Sequence, residues 1–374
     1  MVKQLLLWAA LALSPVALAQ PAKAADPLSK ATLATDYLER ELGARLTPLP
    51  GKAFLPGQSS KNQYSPEQMA AVRAVLGADS PLQVKRLPAA TGSSYSITLP
   101  AGQYQDSAEN LAWETGSLVA RTQRDGSVTV RGQMAALRIA DKVGATNAKG
   151  IRFESSQQRD YWSGKSEVMV DTIDISPADP KGVSGSFEQF RHRLHIERDG
   201  KGYGGRLEFG IGRLLLGGHG VENVQIAARL HQLHPATLGQ LQKEGLARQA
   251  KGGTGRDSFD VLSRNLPAIK RLAMRGATLE LEQFSLRYKG HELAISGSFA
   301  MPNASEAEFA SRAAVLNKLH AKLDVTVPLS LLRQIANDIA ISATGKGKQE
   351  ISPAELGARI YEKQVGDLIA KQYA

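Results

Sequence analysis

The chain has 374 residues, of which 42% are hydrophobic and 22% charged, a formal net charge of +10, and no cysteine. That length and apolar content can bury one large core or two smaller ones. The missing thiol excludes a disulfide framework, a lipid-modified N-terminal cysteine and any thiolate metal site or nucleophile.

Met1-Val2-Lys3 forms a short basic start, and Leu5 to Leu13 is an unbroken run of leucine, tryptophan and alanine closed by Ser14-Pro15. Ala17-Leu18-Ala19 then supplies a small-x-small site, so the expectation is a secretory signal peptide over residues 1–19, cut between Ala19 and Gln20. Ala22-Lys23-Ala24 is a second candidate site. The apolar run falls short of the roughly 18 residues that span a bilayer, and no later segment reaches that length, so no stable membrane span is expected after cleavage. Export also changes what the basic charge means. Residues 1–19 carry only Lys3, so the mature chain stays basic, and outside the cytoplasm the polyanions on offer are phospholipid head groups, lipopolysaccharide, teichoic acid or peptidoglycan rather than nucleic acid.

Residues 20–92 read as a helical and loop-like region. Leu28, Leu33, Tyr37, Leu38 and Leu42 fall near helical spacing, and Thr47 to Asn62 is a loop rich in Pro, Gly and Ser. Ser65-Pro66-Glu67-Gln68 is a capping box with proline at the first helical position, which predicts a helix to about Leu76 stopped by Gly77.

Residues 93–234 change to a period of two and predict an antiparallel β-meander with one face packed and one solvated. Leu118 to Thr122 and Ser127 to Arg131 flank the Asp125-Gly126 hairpin signal; Ile151 and Phe153 alternate with Arg152 and Glu154. Val168, Val170 and Ile173 follow, with Ile175 read as lying after a turn. Leu194 and Ile196, then Leu207, Phe209 and Ile211, then Val224, Ile226, Ala228 and Leu230 continue the pattern.

Residues 235–374 predict a C-terminal α+β part that continues the sheet. Leu238, Leu241 and Leu246 mark one helix, and Phe259, Leu262, Leu266, Ile269, Leu272 and Ala273 form a stripe ending at Gly276. Strands resume at Leu279 to Tyr288 and Leu293 to Phe299 around a Lys289-Gly290 turn, with a phase slip across Gln283 that predicts a bulge. A short helix near Glu306 to Leu319, a strand Ala321 to Val327, a helix from Pro328 and a last helix begun by the capping box Ser352-Pro353-Ala354-Glu355 complete the chain. The expected fold class is α+β: a large, mostly antiparallel, meandering β-sheet with helices packed on one face and at the termini.

None of the chemical motifs survives its context. Gly200 to Gly205 matches G-x-G-x-x-G, but a strand follows where a helix must hold the pyrophosphate, so a hairpin turn is expected. Thr344-Gly345-Lys346-Gly347-Lys348 lacks the upstream glycine and the hydroxyl of a P-loop, and Gly182-Val183-Ser184-Gly185 lacks the final glycine of a nucleophile elbow. His192, His195, His219, His231 and His234 cluster between residues 192 and 234, yet His192 and His195 point to opposite faces of an ideal strand. No catalytic residue, metal ligand or cofactor is therefore assigned.

Three stretches carry a resemblance. Val224 to Leu238, Leu266 to Leu281 and Lys322 to Leu332 look like the C-terminal half of the YdgA-like family of bacterial envelope proteins, and the strand-hairpin blocks from Glu109 to Ile175 are similar to its middle region. A more distant similarity of style links the chain to AsmA-like envelope proteins that handle lipids. The resemblance implies an exported, β-rich protein of a Gram-negative cell, with no catalytic residues to carry over. Members of that family keep a membrane-anchoring N-terminus, so it also offers the alternative of an inner-membrane anchor at residues 4–19.

The functional expectation is a non-enzymatic periplasmic protein whose sheet offers an apolar groove to lipid or to an anionic envelope component. The alternatives are a scaffold that binds another envelope protein along a strand edge, or a hydrolase of envelope polymers with paired carboxylates.

Overall fold

A computed structural model describes residues 30, 31, 33–35, 37, 38, 41, 64–158, 160, 162–236, 270–344 and 352–363. The Ala19/Gln20 junction, the stripes over 238–269 and the glycine-lysine run at 345–348 lie outside these residues.

The described residues build one 14-stranded antiparallel sheet. In chain order the strands are β1 (Gln83–Leu87), β2 (Ser93–Leu99), β3 (Gly102–Gln105), β4 (Glu109–Trp113), β5 (Gly116–Thr122), β6 (Val128–Asp141) and β7 (Gly144–Gln157). Then come β8 (Gly164–Pro177), β9 (Gly185–Asp199), β10 (Gly202–Leu216), β11 (His219–Leu233), β12 (Thr278–Tyr288), β13 (His291–Ala300) and β14 (His320–Thr326). Among the described residues the helices with both ends on view are α1 (Pro66–Leu76), α2 (Arg312–Lys318), α3 (Leu329–Thr344) and α4 (Pro353–Tyr361). The α+β label holds in this coarse sense, with the sheet dominant.

Local chemistry explains the elements. Ser65 accepts from the Gln68 amide while the Gln68 side chain accepts from the Ser65 amide, so α1 opens with its capping box complete and ends at left-handed Gly77. At α4 the Ser352 side chain accepts from the Glu355 amide, one half of such a box. The β5–β6 turn is held by the Asp125 carboxylate, which accepts from the Ser127 amide at 2.8 Å, and Gly126 takes φ 85°. Lys289 and Gly290, both at positive φ, make the two-residue β12–β13 turn. The sheet begins at β1, ahead of residue 93 where the sequence alternation starts, and β3–β4 forms a short hairpin laid on the distal half of β6.

The strand read as ending in a turn before Ile175 is continuous: β8 runs from Gly164 to Pro177. What looked like a turn is one step of a crease that crosses six strands in register. Across β6 to β11 the pairing is interrupted at Ala135, Gly150, Asp171, Gln189, Gly212 and Asn223, and resumes without a net shift. Gly150, Gln189 and Asn223, on alternate strands, have φ of 65°, 56° and 50°. The Asp171 side chain lies over Gly150 and the Gln189 side chain over Gly212, in space a Cβ would occupy. Each step drops one unit of the pleat, so residues three apart share a face: Ala148 with Ile151, Val170 with Ile173, Phe187 with Phe190, Ile211 with Leu214. All eight meet in a single hydrophobic cluster.

A β-branched residue at Gly150 would be held in the left-handed region and would displace Asp171. Gly150→Val should lower unfolding free energy by ~2 kcal/mol or more in urea titration, whereas Asn223→Gly, which relieves the same backbone conformation, should change it by less than ~1 kcal/mol.

Candidate functional site

The two faces of the sheet carry opposite chemistries, and the strand register shows how each is built. On the inner face one cross-strand row passes from Val84 to Ile97, Leu118, Gly132, Phe153 and Val168. It continues through His192, Phe209, Ile226, Phe284 and Ile295 to Val325. At the usual ~4.8 Å strand spacing this apolar path is roughly 50 Å long, measured along the sheet. Gly132 leaves no gap, since the Phe153 ring lies where its Cβ would be. Phe190 and Phe209 meet edge to face at 5.4 Å beside the row.

Cover along this face is uneven. At its N-terminal end, Leu38 packs on Ile97, Ala120, Val128 and Val130, while Ala31, Ala34 and Val75 pack with Leu111 and Trp113. The middle, at Val168, Val170 and Ile173, is buried. At the C-terminal end the face is open: Leu207, Leu230 and Leu279 are 38%, 37% and 39% exposed, and Leu323 and Val325 on β14 are 53% and 56% exposed. Leu230 and Leu279 stand directly opposite one another. Helix α3 borders the turn end of β12–β13, where Asp338 accepts from Tyr288 and Lys289, each at 2.6 Å, and Ser330 meets His291 at 3.0 Å. These contacts push the Tyr288 phenol up to about 12, its hydrogen bond to Asp338 contributing most.

The outer face carries an ion-pair ladder. Arg131 pairs with Glu154 at 2.9 Å; Glu167 receives Arg191 and, at 2.9 Å, Arg193; Arg193 reaches Glu208 at 3.6 Å. Arg206 bridges Glu208 at 2.9 Å and Glu282 at 2.7 Å, and Arg229 reaches Glu282 at 2.8 Å. Glu282 is the extra residue of the β12 bulge, one position from the expected slip at Gln283, and the bulge aims it between two arginines that face each other across β10 and β11. Partial burial would raise the Glu282 pKa, but the hydrogen bonds from Arg206 and Arg229 outweigh it and hold the carboxyl below its usual range.

The histidines do not converge. His192 is 6% exposed on the inner face between Val168 and Phe209, and burial depresses its pKa. His195 lies on the outer face near Glu197. His231 sits between Asp199 at 3.6 Å and Glu280 at 3.3 Å, and His234 meets Arg275. Among the described residues no group of three or more His, Asp or Glu side chains forms a metal cage. Gly200-Lys201 is the two-residue turn between β9 and β10, and Ser184 lies in the loop before β9, so neither sits on a strand-to-helix elbow. A cavity of about 460 Å³ between β3–β4 and β6–β7 is lined by Trp113, Glu114, Arg138, Asn147 and Lys149, without paired carboxylates. No described helix is long and apolar enough to cross a membrane.

A profile of bacterial proteins of unknown function matches residues 47–374. The chain belongs to the DUF945 family. The DUF945 match spans the whole described sheet and runs on to the last residue. No curated protein and no solved structure matches the chain. The apolar row was half legible in the sequence, as alternation within strands. Its continuity across strands was not, because register is set by pairing.

Burial of His192 makes stability depend on pH in a defined window. The unfolded imidazole takes up a proton at about pH 6.5 while the folded one resists it, so stability is full above that value and falls as pH drops through it. Urea midpoints at about pH 7.5 and pH 5.5 should show this loss in the wild type, and His192→Met should remove most of it.

Proposed function

We propose that this protein is exported through residues 1–19, cut between Ala19 and Gln20, and works in the periplasm as a non-enzymatic carrier or holder of lipid acyl chains. The observation that carries the reading is the apolar inner-face row, which runs in register from edge to edge and is flanked over β10 to β14 by exposed Leu207, Leu230, Leu279 and Leu323. Burying methylene groups yields ~0.8 kcal/mol each, so half a dozen methylenes laid along Leu207, Leu230 and Leu279 supply roughly 5 kcal/mol without any polar recognition. Helical cover at the N-terminal end and α3 at the β12–β13 turn frame the open stretch, in keeping with helices on one face. The net charge of +10 favours the anionic head groups of an envelope surface. The YdgA-like and, at greater distance, AsmA-like resemblance of the sequence points the same way.

A second reading, a scaffold that binds another envelope protein, draws on β14, an edge strand whose seven residues are all exposed.

Native mass spectrometry of protein extracted from cells should show adducts of phospholipid mass, and Leu230→Asp with Leu279→Asp should abolish them while leaving the melting temperature within a few degrees. Recovery of the bare polypeptide alone would remove the lipid reading.

A further inference from the structure

From the chemistry of the β14 edge we infer that this chain forms a two-fold dimer by pairing β14 of one copy with β14 of a second, antiparallel and centred on Leu323. The inference does not depend on lipid binding.

Among the described residues β14 is the last strand of the sheet, hydrogen-bonded to β13 on one side only. Edge strands are commonly blunted by a proline, a bulge, an inward-pointing charge, a covering element or charged side chains along the edge, and of these β14 carries only the outward Lys322 and Asp324. His320-Ala321-Lys322-Leu323-Asp324-Val325-Thr326 has no proline, and its register with β13 is unbroken from Ala300↔His320 to Ala294↔Thr326. All seven residues are exposed. The inward positions are Ala321, Leu323 and Val325, which are apolar; the charges Lys322 and Asp324 face outward.

The edge is complementary to itself. In an antiparallel pairing centred on Leu323, Leu323 opposes its own copy, Ala321 opposes Val325, and Lys322 opposes Asp324 on both sides of the axis. Within one chain Lys322 and Asp324 already pair at 3.3 Å, and the second copy closes them into a square of alternating charge. The pairing covers Leu323 and Val325 and extends the apolar inner face from one copy into the next. The opposite edge, β1, lacks this property: centred on its middle residue, Lys85 would meet Lys85. The partner that fits β14 is therefore a second copy of β14.

The chain has no cysteine, so introduced thiols report the pairing directly. Light scattering on the full chain should give a mass that rises with concentration to twice the monomer and no further. Lys322→Asp and Asp324→Lys, each of which sets like charges opposite one another, should each shift the dissociation constant upward at least tenfold, and a 1:1 mixture of the two should restore a dimer. Mild oxidation of Leu323→Cys should yield a covalent dimer, because the two Cα atoms lie within disulfide reach, whereas Val325→Cys places them about four residues apart along the strand and should not crosslink. A wild-type mass that stays monomeric at every soluble concentration, a series of masses above the dimer, or crosslinking no faster at 323 than at 325 would each overturn the inference. A dimer that carries no lipid would leave it standing while removing the functional reading above.

Discussion

The fold rests on a geometric constraint: a strand of 14 or 15 residues must keep one face apolar along its whole length although its pairing is interrupted part-way. A slip of one residue in a single strand would turn every later side chain to the wrong face. The chain meets the constraint by making the same slip in every long strand at the same level, from Ala135 on β6 to Asn223 on β11. Left-handed backbone at Gly150, Gln189 and Asn223 provides the step, and the apolar pattern is written three apart across it. Because these six strands step together, their mutual pairing resumes in the same register beyond the crease, and the shift appears only where β11 meets β12, between Glu222 and Gln225.

Two surfaces with different work follow from that arrangement. The inner one is a continuous apolar path, buried where helices and neighbouring strands meet it and open toward β14. The outer one is a lattice of ion pairs whose two best-covered carboxylates, Glu167 and Glu282, each hold two arginines. Solvent weakens such pairs individually. From Glu167 on β8 to Glu282 on β12 they form a connected row, with the Arg131–Glu154 pair standing apart on β6 and β7.

Much of this was legible in the sequence wherever structure is local. The capping box at Ser65, the N-cap at Ser352, the turns at Asp125-Gly126 and Lys289-Gly290, and the hairpin at Gly200-Lys201 each depend on a few adjacent residues and lie where the sequence puts them. The β12 bulge was visible as a phase slip because it interrupts the alternation within a single strand. The crease was not, because a slip in one strand reads equally as a turn, as it did between Ile173 and Ile175. Its meaning lies in the alignment of six slips, which only the pairing reveals. The same holds for His192: its spacing from His195 showed that the two diverge, but its place between Val168 and Phe209 required the register of β8 and β10.

The central claim, that the inner face and not the outer one meets lipid, is tested most directly by photocrosslinking in cells from single positions on the two faces. A photoreactive residue at Leu230 or Leu279 should form adducts that carry lipid phosphate, and the same residue at the adjacent outward positions Arg229 or Glu280 should form none. Equal lipid labelling from both faces, or none from Leu230 and Leu279, would contradict the account.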